Sequence, residues 1–109
     1  MENLYLLIYC TCPDRVMAER IAEALVADRL AACVNIVPGI TSVYRWQGEV
    51  QHDSELLLLI KTRDECYPAL EARIRELHSY EVPEIIAVPL QRGSESYLAW
   101  LDACVGTVS

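Results

Sequence analysis

Residues 33–62 have the sequence CVNIVPGITSVYRWQGEVQHDSELLLLIKT, and this stretch decides the fold. It predicts two extended arms on either side of a tight turn at Gln47-Gly48. At about 3.3 Å per residue, an unbroken arm of this length would reach about 45 Å, whereas a globular chain of this size has a radius of gyration of about 13 Å. The hairpin is therefore expected to project from the domain.

The composition of the two arms predicts a bend in the hairpin and a role for it in self-association. Pro38-Gly39 interrupts the first arm and predicts a bulge or bend, because proline cannot donate to a strand ladder. Beyond it, Tyr44 and Trp46 fall on one aromatic face. The return arm begins polar and becomes apolar from Leu56 to Ile60. A long ribbon with free edges normally pairs with another chain, so we interpret the hairpin as an assembly arm.

Further patterns predict the remaining elements. The apolar run Leu4–Cys10 predicts a strand buried on both faces, and Asp14 marks the start of a helix that continues to about Arg29. A capping-box pattern at Thr62–Glu65 predicts the start of a second helix. Residues 84–90 then predict a fourth strand, and residues 93–104 a last short helix.

This βαββαβ order with a terminal helix is typical of a ferredoxin-like α+β fold. Its sheet has four antiparallel strands with helices on one face. Residues 1–109 are expected to form a single domain, because neither a linker nor a repeat interrupts the pattern.

Charge and composition exclude some classes of function. The net charge of −7 and the lack of a basic cluster argue against nucleic acid as a partner. The apolar runs are too short to cross a bilayer, so no membrane partner is expected. Five cysteines are an odd number, and the N-terminus lacks the basic flank of a secretory signal. Reduced thiols and a cytoplasmic location are therefore expected.

Cys10-Thr11-Cys12 offers soft metal ligands. Side chains alternate along a strand, so both thiols should face the same side. With His78 as a third ligand they could hold Cu(I) or Zn(II), although buried reduced cysteine is also a common core residue. The other cysteines are interpreted as core residues, and these are Cys33, Cys66 and Cys104.

His78, Glu81 and Glu84 fall within seven residues of a predicted loop. They could coordinate an ion or bind a ligand, or the loop could simply satisfy its own backbone. Catalysis is not expected: a thiol nucleophile at Cys10 would need His78 and Glu84 beside it, and the single glycines form no phosphate loop. No organic cofactor is evident.

Four segments in order resemble the CutA divalent-ion tolerance family, and together they span nearly the whole chain. They are residues 31–35 (AACVN), 38–48 (PGITSVYRWQG), 60–62 (IKT) and 78–84 (HSYEVPE). The resemblance implies a ferredoxin-like protomer in a tight homotrimer, similar in architecture to the PII signalling proteins. It also implies a response to metal ions, with copper or another divalent ion bound.

The resemblance also implies metal ligands. Copper-binding members use a cysteine at the end of the first strand and histidines before the tyrosine of the loop motif, which correspond here to Cys10 and His78. This chain departs from the family at Leu77, where some relatives have a second histidine, and at Ser79, where proline is usual. Further candidate ligands are Cys12, Glu81 and Glu84.

A cleft between subunits is expected where one arm lies on its neighbour. Its candidate residues are Tyr44, Trp46, Lys61 and Tyr80, with Lys61 as the charge that would meet a small anion. The aromatic residues could instead be plain interface anchors. An alternative function is accordingly a PII-like small-molecule sensor or a protein-interaction scaffold.

Overall fold

The elements follow the predicted order. The computed structural model describes residues 4–106. The strands are β1 (Tyr5–Cys12), β2 (Cys33–Trp46), β3 (Glu49–Arg63) and β4 (Ile85–Pro89), and the helices are α1 (Arg15–Ala27), α2 (Tyr67–Leu77) and α3 (Glu95–Cys104). The α+β ferredoxin-like fold is thereby confirmed. No helix within residues 4–106 is long and apolar enough to span a membrane.

The four strands form one antiparallel sheet in the order β2-β3-β1-β4. Strand β1 lies inside the sheet, with Ile8 opposite Ile60 of β3 on one side and Ala87 of β4 on the other. Strands β2 and β4 are therefore the two edges, and each has one row of backbone N–H and C=O groups without a partner strand among residues 4–106.

Helices α1 and α2 cover one face of the sheet. Asp14 caps α1 by accepting a hydrogen bond of 2.8 Å from the backbone N–H of Met17, as predicted. The two helices and the sheet share one core, whose fully buried members include Ile8, Ile21, Leu25, Leu58, Ile60, Leu70 and Ile74.

The expectation that β1 is buried on both faces is wrong. Leu6, Ile8 and Cys10 are buried under the helices, whereas Leu7 and Tyr9 point to the other side and are only half-buried. We call that other side the open face. Its apolar residues give β1 a continuous apolar sequence, although the chain itself covers only one side of the strand.

The hairpin arm has both predicted features. Gln47 and Gly48 have φ of 49° and 83°, which suits the type I′ turn of a two-residue hairpin. The register of β2 against β3 shifts between Val37 and Ile40, so Pro38 and Gly39 form the bulge. The described residues extend 44 Å along their longest axis, against 26 and 23 Å along the others.

The predicted capping box at Thr62–Glu65 does not form. Thr62 is buried within β3, paired with Leu6, and its hydroxyl donates to the carbonyl of Leu30 at 2.6 Å. A short 3₁₀ turn at Asp64–Cys66 follows β3, and α2 begins at Tyr67. The strand pairing with β1 therefore overrides the local capping pattern.

Helix α3 is fastened to one end of the open face. Asp102 accepts a hydrogen bond of 2.9 Å from the hydroxyl of Tyr5 and forms an ion pair with Arg63. Leu101 packs in a small second core with Cys66, which is fully buried. The expected core positions of the other two cysteines are only partly realised, because Cys33 and Cys104 are half-buried.

Candidate functional site

A cluster of two thiols and one imidazole lies where β1 ends. Cys10, Cys12 and His78 are all buried, and one ligand atom from each lies within 4.8 Å of the others. Strand alternation places both thiols on the same side of β1, as predicted, and the helices cover that side. His78 reaches them because it directly follows α2, which packs on the same side. We call these three residues the thiol–imidazole cluster.

His78 also braces the edge of the sheet. The carbonyl of Tyr5 accepts from Leu90, so the strand repeat of two turns the carbonyl of Thr11 toward the same β4 edge. Pairing with β4 stops at Cys10, and Nε2 of His78 lies 2.8 Å from the Thr11 oxygen in its place. Nδ1 accepts the backbone N–H of Tyr80 at 3.1 Å.

The hydrogen bonds of His78 decide what the ring can do in this state. One nitrogen donates and the other accepts, which is the pattern of an imidazole with its proton on Nε2. Neither nitrogen is free to act as a base toward the Cys10 thiol. A metal ion bound through His78 would have to replace one of the two backbone partners.

The two thiols share their protons unequally. The hydrogen bond from Cys10 lowers the pKa of Cys12. The same hydrogen bond, followed by burial and by the negative charges of Glu84 and Glu55, raises the pKa of Cys10. The pair therefore loses one proton well before the second, and a cation that binds both sulfurs must displace both protons.

A cavity of about 660 Å³ lies on the open face between the outer part of the arm and the loop after α2. Alternation along β2 beyond the bulge turns Tyr44 and Trp46 toward it, as the predicted aromatic face requires. We call it the arm cavity. It is lined by Thr11, Ser42, Val43, Tyr44, Trp46, Glu55, Ser79, Tyr80, Glu81, Val82 and Glu84.

Two tyrosine–carboxylate pairs stiffen the cavity wall. The hydroxyl of Tyr80 donates to Glu55 at 2.6 Å, and burial together with this hydrogen bond raises the pKa of Tyr80. The hydroxyl of Tyr44 donates to Asp53, and that hydrogen bond raises the pKa of Tyr44. Both phenols therefore stay protonated in the fold.

The predicted site residues thus divide between the thiol–imidazole cluster and the arm cavity, except Lys61, which belongs to neither. Glu81 and Glu84 line the arm cavity and are not members of the thiol–imidazole cluster. Lys61 lies apart from the cavity, near the base of the arm, where its Nζ contacts Asn35 and lies 4.0 Å from the sulfur of Cys33. A role for Lys61 toward an anion in the cavity would need a second copy of the chain.

Glu55 is a site residue that the sequence reasoning missed. It lies on the same face as Tyr44 and Trp46, and its side chain is buried. A carboxylate followed directly by the apolar run that begins at Leu56 is the signal that could have identified it, because strand alternation turns it away from the helix-covered core.

Comparison with known proteins decides the family. The family model described as CutA1 divalent ion tolerance protein matches residues 6–104. The chain belongs to this family. The Divalent-cation tolerance protein CutA of Thermus thermophilus is 55% identical over 106 residues, which is 97% of this chain and all of that protein. A solved structure of the Thermus thermophilus protein has a TM-score of 0.93, at 52% identity, and covers 94% of this chain and all of that one.

Other CutA relatives differ in length and in location. Protein CutA of mouse is 46% identical over 101 residues, covering 93% of this chain but 57% of the mouse protein. Relatives are named chloroplastic in Arabidopsis thaliana and periplasmic in Archaeoglobus fulgidus, so the family does not imply the expected cytoplasmic location. The family model and the Thermus thermophilus relative are named for divalent-ion tolerance, and neither name refers to a sensor or a scaffold.

Proposed function

We propose that this protein contributes to divalent-cation tolerance as a homotrimer that binds copper or another thiophilic ion at the thiol–imidazole cluster. Cys10, Cys12 and His78 would be the ligands. Their convergence within 4.8 Å, in a buried position, is the observation that carries the proposal. The family description supports the cellular role, and the donor atoms support the choice of ion.

The donor set fits a soft ion better than a hard one. Thiolate sulfur and imidazole nitrogen are preferred by Cu(I) and Zn(II), whereas Mg²⁺ and Ca²⁺ prefer oxygen. Cys12 would supply a second sulfur where the family pattern relies on a second histidine, whose place is taken here by Leu77. A bound ion would compensate the negative charge of the buried thiolates.

Self-association is supported by the edges and by the open face. Within the described part of the chain, strands β2 and β4 each leave one edge unpaired, at opposite sides of the sheet. The open face exposes Val37, Ile86 and Val88 to solvent in the single chain, which costs free energy unless another surface covers them. Copies of the same chain would cover both features, and the arm cavity would then lie at a cleft between subunits.

Metal binding is tested by equilibrium dialysis of the reduced protein against Cu(I) and Zn(II). We expect binding that is lost in Cys10→Ser and strongly weakened in Cys12→Ser. Cys104→Ser is the matched control, because that thiol is half-buried on α3. Unchanged binding in the Cys10 and Cys12 variants would refute the ligand assignment.

Oligomeric state is tested by sedimentation at micromolar concentration. A particle of three times the 12.3 kDa chain mass is expected. A folded particle of a single chain would refute the homotrimer. Because sedimentation needs no metal, it separates the assembly proposal from the metal proposal.

A further inference from the structure

The arm cavity has an acidic and aromatic lining. Glu55, Glu81 and Glu84 contribute carboxylates, and Tyr44, Trp46 and Tyr80 contribute rings. Its lining, as far as the described part of the chain shows it, contains no lysine, arginine or histidine. The cavity therefore attracts positive charge, in contrast to the small anion that Lys61 led the sequence to suggest.

Glu55 is the charge in this cavity that most needs a partner. Its side chain is only 6% exposed, and among residues 4–106 it forms no ion pair. Its hydrogen bond comes from the neutral phenol of Tyr80, through Oε2. A buried carboxylate without a countercharge is costly, so a cation from outside this chain would stabilise it.

The second oxygen of Glu55 is available to a ligand. Oε1 accepts no hydrogen bond from a described residue. No fully buried side-chain oxygen of the described residues lacks a partner, so Oε1 is at least partly exposed, and the cavity that Glu55 lines is the space beside it. A donor that enters the cavity can therefore bond to this oxygen while Tyr80 holds the other one in place.

A metal ion does not suit these carboxylates. The described residues provide one group compact enough to hold a metal ion, and it consists of Cys10, Cys12 and His78. The carboxylates of the arm cavity form no such group, so they could not all bind one small ion. A larger cation that spreads over the cavity is the better match.

The aromatic walls identify the class of that cation. Tyr44 and Trp46 are each 42% exposed on the cavity side of the arm, although large apolar rings are normally covered. Aromatic faces attract ammonium groups and also bury apolar carbon. We propose that the arm cavity binds an organic ammonium ion, with its charge at Glu55 and its apolar part against Tyr44 and Trp46.

The test measures binding of ammonium probes to the whole protein, reduced and with EDTA present to remove metals. Isothermal titration compares choline with its neutral isostere 3,3-dimethyl-1-butanol, and n-butylammonium with 1-butanol. We expect each ammonium probe to bind at least about tenfold more tightly than its neutral partner. For n-butylammonium this is the size of one hydrogen bond to a charged group, whereas choline has no N–H to donate and gains its preference from attraction to the rings and to the carboxylate charge. Equal affinity within both pairs would overturn the proposal.

Three variants locate the site. Glu55→Gln keeps the side-chain shape and should weaken ammonium binding about tenfold. Trp46→Leu removes an exposed ring without changing charge and should weaken it about threefold or more, which keeps the test valid if Glu55→Gln folds poorly. Glu23→Gln, on the exposed side of α1, removes the same charge elsewhere and should have no effect.

A second copy of the chain is the competing occupant. If a lysine or arginine of that copy neutralised Glu55, then Glu55→Gln would weaken self-association in sedimentation and no ammonium probe would bind. That result would overturn the proposed ammonium site and would still agree with the proposal that the unchanged protein is a homotrimer. The proposal does not depend on the metal site, because the thiol variants should bind ammonium as the unchanged protein does.

Discussion

Replacing His78 by alanine should destabilise the protein even when no metal is present. The imidazole donates to the carbonyl of Thr11 and accepts the backbone N–H of Tyr80. It is 8% exposed and holds the loop after α2 against the end of β1, on the side where pairing with β4 has stopped. His78→Ala removes both hydrogen bonds, and the small side chain cannot replace either one.

The size of the effect follows from the two partners. Thr11 is buried, so its carbonyl would lose a partner that water cannot easily replace, at a cost of about 1–3 kcal/mol. The N–H of Tyr80 lies in a half-exposed loop and can bond to water, so its loss costs about 0.5–1.5 kcal/mol. The free energy of unfolding should therefore fall by about 2–4 kcal/mol.

His78→Asn should give an intermediate result. The Asn oxygen can accept the N–H two residues later, as in an Asx turn, but the short side chain does not replace Nε2 at Thr11. His52→Ala is the matched control, because His52 is exposed on the arm and should cost less than about 0.5 kcal/mol.

The assay is urea unfolding of the reduced protein in EDTA, with all variants at one chain concentration because association affects apparent stability. The expected order of stability is unchanged protein and His52→Ala, then His78→Asn, then His78→Ala. If His78→Ala lay within about 0.5 kcal/mol of the control, the brace described here would be wrong. His78 would then be a free side chain available to a metal ion.

Three further predictions concern stability. Thr62→Val should lower the free energy of unfolding by about 1–3 kcal/mol in urea melts because the partly buried carbonyl of Leu30 loses its donor, while Thr62→Ser should lower it less. The pKa of Tyr80 is raised in the fold, so unfolding releases a proton above pH about 10. The contribution of Tyr80 to the free energy of unfolding is therefore complete below that pH and is lost as the pH rises. Tyr80→Phe also removes the hydrogen bond to Glu55. In urea melts between pH 9 and 11, this variant should show a smaller fall of the free energy of unfolding with pH, by at most about 1.4 kcal/mol per pH unit, and an unchanged slope would contradict this. Gly48→Ala should cost about 1 kcal/mol by thermal or urea melting, because φ is 83° and nothing else opposes the added methyl, and an equally stable variant would refute the turn type.

The arm and the element order could be predicted because their signals are local. Gln47-Gly48 specifies the tight turn, Pro38-Gly39 specifies the bulge, and Asp14 caps the first helix. Each depends on residues next to one another in the chain. Such signals need no knowledge of what packs where.

Thr62 shows why the sequence predicts too early a start for the second helix. Its pattern with Glu65 fits a helix cap, but Thr62 pairs with Leu6, which lies 56 positions earlier in the chain. The ladder with β1 and the hydrogen bond to Leu30 hold it extended. Local sequence cannot weigh a capping bond against partners that only the folded sheet provides.

The candidate sites could be predicted only in part. Period-two alternation placed Cys10 and Cys12 together, and His78 joined them only because α2 returns to the end of β1. Glu55 escaped notice because its partner, Tyr80, lies 25 positions away. Metal binding by the cluster and the cleft between subunits remain predictions.

Between the bulge at Pro38-Gly39 and the aromatic residues of β2, the number of residues matters more than their identity. Val37 and Ile40 both share a face with their β3 partners, although three positions separate them, because two residues stand opposite Leu56. Removing one of the two bulge residues would leave a single residue opposite Leu56 and would keep Ile40 on the face of Glu55. A deletion between Ile40 and Tyr44 would instead turn Tyr44 and Trp46 to the opposite face, so both rings would leave the arm cavity together. Homologues should therefore vary the arm length at its tip, in matched pairs of residues, while the count between the bulge and the aromatic residues stays the same.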